Sequence, residues 1–184
     1  MEFRLTYRGP LRTQEKGKVQ QKHDIRRRLH PQLRDLWSRP PRNELIGFHV
    51  SPVVGDPVLV KAGPFTFFPT VSSRRDVVAE LDILLLRPGE PGAVVHQDGD
   101  IDNQLKILFD AFRVPSAGEL PIGAQPTADE QPYFFSLLED DRLVVKVTAE
   151  VDRLLDAENA DDVNAVIRVR TRATRQRWDN VDLD

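Results

Sequence analysis

Two aspartates and a lysine stand at spacings that suit chemistry on phosphate groups. Asp100 and Asp102 precede an apolar repeat typical of a helix, and Lys106 follows about one helical turn later. In an extended stretch, residues i and i+2 point the same way, so both carboxylates can face one cation. Oxygen ligands of this kind suit Mg²⁺ or Mn²⁺, and the Lys106 ammonium would then lie beside a bound phosphate. The alternative is that the aspartates only cap the helix.

A second acidic feature comes after an apolar run and before a predicted strand. Glu139, Asp140 and Asp141 are consecutive, and adjacent carboxylates repel one another unless water or a cation relieves the repulsion. An exposed acidic turn is the simpler alternative. The chain has no cysteine, which excludes disulfides, thiolate metal sites and cysteine nucleophiles. Its four histidines are dispersed without metal-ligand spacing, which disfavours a zinc site.

The two acidic features together resemble the RusA family of Holliday junction resolvases. Residues 99–112 read GDIDNQLKILFDAF and residues 138–141 read LEDD. The family signature is similar to D-x-D-N-x-x-K-x-x-x-D-A-[LF], followed by a pair of aspartates before a strand, and every position is filled here. The resemblance covers residues 77–172 well. It departs before the first aspartate, where the family often carries a basic run and residues 94–99 contain no lysine or arginine.

The resemblance implies a homodimeric, Mg²⁺-dependent (or Mn²⁺-dependent) endonuclease. Such a hydrolase would cut phosphodiesters of branched DNA, typically four-way Holliday junctions, in recombination and repair. The implied fold is α/β (α+β), a single domain with a small mixed sheet flanked by helices. The implied catalytic residues are Asp100, Asp102, Lys106 and Asp141, and the three aspartates would also be the metal ligands.

Three further positions match the family, with less defined roles. Asn103 would orient an aspartate by hydrogen bonding, Asp110 would support the site or hold the helix, and Asp140 would stand behind the metal ligands. Two other functions remain open. One is a non-catalytic DNA-binding or regulatory protein of the same fold, and the other is a nuclease acting on flaps or RNA.

The charge distribution favours a polyanionic partner. Residues 1–43 contain 12 Lys/Arg against 4 Asp/Glu, residues 44–165 contain 9 against 22, and residues 166–178 contain 5 arginines and no acid. Basic ends suit nucleic acid, and the acidic middle would repel it unless cations bind there. The predicted DNA-backbone contacts are Lys16, Lys18, Lys22, Arg26, Arg27 and Arg28. A solvated helix face is the alternative for this basic patch.

Periodicity predicts the elements that position these residues. Strands are expected at Glu2–Tyr7, Val77–Leu86, Leu143–Leu155 and Val163–Ala173, with short strands around Phe48, Val50, 58–60 and 65–68. Helices are expected at His23–Leu29, Pro31–Trp37 and Ile101–Val114, the first two separated by Pro31 because proline disrupts a helix interior. Arg168, Arg170 and Arg172 would share one strand face and pair with Glu150 and Asp152 on a neighbouring strand.

The expected organisation is one domain over residues 1–178. It would comprise a strand, a basic loop and helices in 1–43, an insertion in 44–75 and the catalytic core in 77–173, followed by an acidic tail in 179–184. Hydrophobic residues make up 40% of the chain and charged residues 30%, which is an ordinary globular composition. The apolar runs are too short to cross a bilayer, so we expect a cytoplasmic protein without a membrane partner.

Overall fold

The computed structural model describes residues 1–12, 17–52, 57–88, 101–159, 161–180 and 183. Its three helices and seven strands are β1 (Glu2–Pro10), α1 (Lys18–Ser38), α2 (Arg42–Val50), β2 (Val60–Ala62), β3 (Phe65–Val71), β4 (Val77–Arg87), α3 (Ile101–Phe112), β5 (Phe134–Leu138), β6 (Val144–Arg153) and β7 (Asp162–Ala173). The predicted α+β class is confirmed. The main hydrophobic core includes residues from Leu5 to Leu183, and a smaller second cluster is formed around Phe65, Phe67 and Phe134.

The larger sheet has the strand order β1-β7-β4-β6. β7 is antiparallel to both of its neighbours, whereas β4 and β6 are parallel. In β4 and β7 every second side chain is buried, as the alternation of apolar residues predicts. The buried face of this sheet packs on the helices, and the other face carries the charged residues of β1, β4 and β7.

A second sheet corrects the expectation of a single one. The segment predicted as an insertion supplies β2 and β3, and β3 pairs in parallel with β5. All five residues of β5 are buried, so its apolar run lacks the alternation that identifies a half-exposed strand. The short strands predicted around Phe48 and Val50 are wrong, because these residues belong to α2.

The two helices expected on either side of Pro31 form one continuous helix, α1. Proline removes one backbone hydrogen bond and costs about 3 kcal/mol or more in a helix interior. Leu29, Leu33 and Trp37 are almost completely buried along α1, on both sides of the proline. Burial of each such side chain contributes about 1.5–3 kcal/mol, which outweighs the local cost.

Of the predicted acidic tail, residues 179, 180 and 183 are described, and all three are buried instead of extending into solvent. Asp179 forms an ion pair with Arg75 at 3.0 Å, and both side chains are at most 3% exposed. Arg75 also donates from Nε to His49 Nδ1 at 3.1 Å. Asn180 Nδ2 donates to the carbonyl of Arg75 at 2.7 Å, and Leu183 joins the core. This buried network holds Asp179 and Asn180 against α2 and the turn before β4.

Candidate functional site

Helix α3 presents two of the predicted site residues to solvent. Its apolar face buries Leu108 and Phe112 in the core, at the spacing of an amphipathic helix. Asp102 and Lys106 lie on the exposed side of the same helix. Asp102 stands in the first turn, where the helix dipole favours a carboxylate. The fold therefore fixes the backbone under both side chains.

The acidic run leads into a short 3₁₀ turn, Asp141–Leu143, between β5 and β6. Asp140 caps it by accepting from the backbone N–H of Arg142 at 3.0 Å, and it also binds the Arg142 guanidinium at 2.8 and 3.0 Å. These hydrogen bonds from Arg142 lower the pKa of Asp140 to about 2. The carboxylate of Glu139 accepts hydrogen bonds from Ser72 Oγ at 2.7 Å and from the backbone N–H of Ser73 at 3.0 Å, which ties the start of the acidic run to the segment after β3. Asp141 is left exposed.

The fold brings α3 and this turn together around one cavity of about 550 Å³. Asp102 and Lys106 from the helix and Asp141 from the turn line it, although Asp141 is distant from both in sequence. Arg142 adds a second cationic side chain to the lining. The apolar part of the wall consists of Leu105, Phe109, Val144 and Val147. Asp100 belongs to residues 89–100, outside the described ranges, so its predicted role stays a prediction.

The charged groups of the cavity are mostly unneutralised. Across the described ranges, Asp102 and Asp141 have no ion-pair partner, and Lys106 pairs with neither Asp102 nor Asp110. A carboxylate pair without a cation, on the wall of an open cavity, is a suitable donor set for Mg²⁺, which proteins often bind through one or two carboxylates plus substrate phosphates. Within the described residues no three acidic or histidine side chains form a complete metal-binding group.

Asp110 has a structural role in this fold. Its carboxylate forms ion pairs with Lys22 of α1 at 2.6 Å and with Arg113 at 3.3 Å. It therefore holds α3 against α1, which is one of the two roles expected for it. Asn103 is exposed and makes no hydrogen bond to another described residue, so the described contacts give no support for an orienting role.

Several residues of the predicted basic patch make contacts within the chain and do not face solvent freely. Arg26 is 2% exposed and donates to the carbonyl of Asp110 at 2.6 Å, so its prediction as a DNA contact is wrong. Burial lowers the pKa of Arg26 to about 10. Lys22 is engaged by Asp110, and Arg27 binds Glu130 at 2.8 Å.

Arg28 is the exposed member of the predicted patch. Lys18 is half-buried, and Lys16 lies outside the described residues. A second cavity, of about 570 Å³, lies between β1 and α1 and is lined by Arg8, Arg12, Arg27 and Arg28. Arg8 and Arg12 pair with acids of the segment before β7, at 3.1 and 2.9 Å. This juxtaposition of β1 with α1 was not predicted, because it depends on tertiary packing.

The arginines of β7 share one face, as predicted, but their partners differ from the expected Glu150 and Asp152. Arg168 pairs with Glu2 at 2.9 Å, and Arg170 pairs with Glu80 at 3.4 Å. The reason is the strand order, which places β7 between β1 and β4 and leaves β6 one strand further away.

Sequence reasoning missed Arg142 as a lining residue of the first cavity. The available signal was its position directly after three acids, where a cation relieves their repulsion.

None of the helices in the described ranges is both long and apolar enough to cross a membrane. Comparison with protein-family models, with curated proteins and with solved structures finds no match to this chain.

Proposed function

We propose that this protein is a metal-dependent endonuclease that hydrolyses phosphodiesters in branched DNA. The observation that carries the proposal is the meeting of Asp102, Lys106 and Asp141 around one cavity. These are the positions to which the RusA resemblance assigns catalysis. Two carboxylates beside a lysine are of little use to a protein that only binds phosphate, since the acids repel the ligand.

The carboxylates of Asp102 and Asp141 would hold a Mg²⁺ ion, with Asp100 as the third expected ligand. A bound Mg²⁺ neutralises charge on the phosphate oxygens and helps to activate the attacking water. The chain contributes the orientation of these groups. Asp102 is fixed by α3. Asp141 begins a turn whose two preceding residues, Glu139 and Asp140, are held by hydrogen bonds.

Lys106 would stabilise the negative charge that develops on the phosphate in the transition state. It is exposed on the cavity side of α3 and is free of a described acidic partner, so its ammonium can reach a ligand. Arg142 is held by Asp140 through Nε and one Nη, which leaves the remaining guanidinium N–H groups to donate to a phosphate oxygen. Fixed donors of this kind act without reorganisation at the moment of reaction.

The experiment is cleavage of a four-way junction with and without Mg²⁺, beside matched duplex, flap and RNA substrates. We expect Mg²⁺-dependent cleavage of the junction, abolished in Asp102→Asn and Asp141→Asn. Asp129→Asn is the matched control, because its carboxylate is 83% exposed and lies outside the cavity.

A second measurement is independent of activity. Calorimetric titration with Mn²⁺ should show weaker binding in both cavity variants and unchanged binding in Asp129→Asn, because each cavity variant loses a ligand charge. Cleavage that persists in Asp102→Asn and Asp141→Asn, or binding of Mn²⁺ that neither variant weakens, would refute the assignment. Preferential cleavage of flaps or RNA would assign that nucleic acid, and not the four-way junction, as the substrate.

A further inference from the structure

Two aromatic side chains from distant parts of the sequence meet at the surface. Phe48 of α2 is 41% exposed, and Trp178, which follows β7, is 59% exposed. Their ring centroids are 5.4 Å apart and their planes lie at 86°, so they form an edge-to-face pair. Tryptophan is highly buried on average, and this aromatic pair therefore needs an explanation other than packing in the core.

Trp178 belongs to a closed loop, residues 175–180, which reads RQRWDN. Asn180 closes the loop, because its Nδ2 donates to the carbonyl of Arg175 at 2.9 Å and its Oδ1 accepts from the backbone N–H of Arg177 at 2.9 Å. Residues 175–178 are all exposed, whereas the two residues that follow are buried. The loop thus presents two arginines, a glutamine and a tryptophan to solvent on an anchored backbone.

The buried Arg75 holds the backbone under both rings of the aromatic pair. Its Nη1 pairs with Asp179, the residue after Trp178, at 3.0 Å. Its Nη2 donates to the carbonyl of Phe48 at 3.2 Å. Side chains that are positioned before a ligand arrives lose less conformational entropy on binding, so the aromatic pair is preorganised.

The charge beside the aromatic pair favours an anionic ligand. Residues 166–178 contain five arginines and no acid. Among the residues that the structure describes, Arg175 has no ion-pair partner. Arg177 pairs with Asp76 at 3.5 Å and with Asp179 at 3.2 Å, so the charges of these two acids are compensated. A free guanidinium next to exposed rings is suited to a ligand that carries both phosphates and flat bases.

We propose that the aromatic pair and Arg175 form a binding site for single-stranded DNA, in which bases stack on the rings and the guanidinium contacts phosphate. Every base has a π-face, so aromatic rings in a cationic setting bind single strands with little sequence preference. The bases of a duplex already stack on one another, so the site selects unpaired ones. Glu44 stands one helical turn before Phe48, and its charge would direct the phosphates towards the arginine side.

The site lies at the same end of the larger sheet as the candidate catalytic cavity. β7 ends at Ala173, opposite Val77 at the start of β4. β6 begins beside the same end of β4, and its first residue, Val144, lines the cavity. One strand separates β7 from β6, which corresponds to about 10 Å across the sheet. An unpaired strand near the cavity is therefore close to the aromatic pair, and the choice of DNA as the nucleic acid rests on the proposed function.

The primary test is a fluorescence titration with a single-stranded oligothymidylate of about 15 nucleotides, in EDTA so that neither Mg²⁺ nor cleavage is involved. The chain has two tryptophans, and Trp37 is buried, so quenching by a stacked base reports on Trp178. We expect quenching that saturates with the oligothymidylate and is much weaker with a duplex of the same length.

Variants then separate stacking from other apolar contact. Trp178→Ala should raise the dissociation constant of the oligothymidylate, measured by fluorescence anisotropy, by about 10-fold or more. Trp178→Phe should retain most of the affinity and Trp178→Leu should not, because leucine keeps apolar surface but offers no ring. Arg175→Ala should weaken binding and reduce its salt dependence by about one ion.

The chain offers a matched control for each kind of substitution. Leu155 is an exposed apolar residue, 89% exposed, just after the far end of β6, and Lys61 is an exposed cation on β2. Leu155→Ala and Lys61→Ala should leave the dissociation constant unchanged. Melting temperatures of all variants should stay close to that of the natural chain, because each replaced side chain is exposed.

Three results would overturn the proposal: no quenching by the oligothymidylate, equal quenching by the duplex, or equal affinity of Trp178→Leu and Trp178→Phe. The last result would assign the aromatic pair to apolar contact with a protein. The quenching is measured on the natural chain, so it decides the matter even where a variant folds poorly. A chain that cleaves junctions without quenching would refute this site alone, and one that quenches without cleaving would refute only the proposed function.

Discussion

Replacement of Lys106 by alanine separates a catalytic lysine from a structural one. Lys106 is exposed on α3 and forms no ion pair with Asp102 or Asp110, although each is four residues away. Asp110 is already bound by Lys22 and Arg113. The Lys106 ammonium therefore contributes little to the stability of the folded state. What distinguishes this lysine is its position on the wall of the cavity.

For Lys106→Ala, the expected loss of transition-state stabilisation is several-fold larger in free energy than the expected change in folding stability. Loss of an exposed lysine without a partner changes stability by no more than about 0.5 kcal/mol, and alanine also favours the helix. Loss of one positioned donor to the transition state typically reduces the rate by about 10²–10³, which is about 2.7–4 kcal/mol. Lys106→Arg should restore only part of the rate, because a planar guanidinium does not replace a compact ammonium.

The assay is single-turnover cleavage of a four-way junction at saturating Mg²⁺, with melting temperature and DNA affinity measured on the same preparations. Lys61→Ala serves as a control for the removal of one exposed charge. A rate for Lys106→Ala within a factor of three of the natural chain would remove Lys106 from the catalytic set. A large fall in melting temperature would instead assign it a structural role.

Three further predictions concern the rest of the fold. Asp179→Asn should lower the free energy of unfolding by about 3–5 kcal/mol, measured by urea titration, since it removes the negative charge that pairs with the buried Arg75 guanidinium. Stability should fall as the pH drops from about 6.5 towards 4, because burial lowers the pKa of His49 and of His23 to about 4 and only the unfolded chain then takes up the protons; each of these histidines contributes a loss of at most about 3 kcal/mol, so His49→Asn should remove only its own share of this dependence in urea titrations. Arg28→Glu should weaken binding to every DNA shape and reduce the salt dependence of the binding constant by about one ion, measured by fluorescence anisotropy, whereas Arg26→Ala should chiefly lower the melting temperature.

Elements with a strict period were predictable from sequence. The alternation in β4 and β7 and the helical spacing in α3 gave the correct structures, because each of these elements has one buried face. The fully buried β5 has no such alternation. Helix α2 was missed because its buried residue, His49, is held by Arg75, a contact between segments that local pattern does not encode.

The candidate site was predictable to the extent that its residues share a motif. The grouping of Asp141 with Asp102 was expected from the family resemblance, and the described geometry places both on one cavity. The basic patch was a weaker prediction, because the sequence gives charge but not burial. Arg26, Arg27 and Arg28 are consecutive, yet on a helix they point in different directions, so one is buried, one is half-buried and one is exposed.

The pairing of β1 with β7 has a consequence for how the chain folds. Glu2 lies opposite Arg170, so the first strand completes its ladder only with the last one. During synthesis the backbone hydrogen bonds of β1 with β7 cannot form until residues Asp162–Ala173 have left the ribosome. Contacts of such long sequence separation slow folding, because the entropy of closing the loop is lost before the contacts of the sheet can form and compensate for it. We therefore expect a slow folding step that truncation before β7 abolishes, with the unpaired strands exposed to aggregation in the meantime.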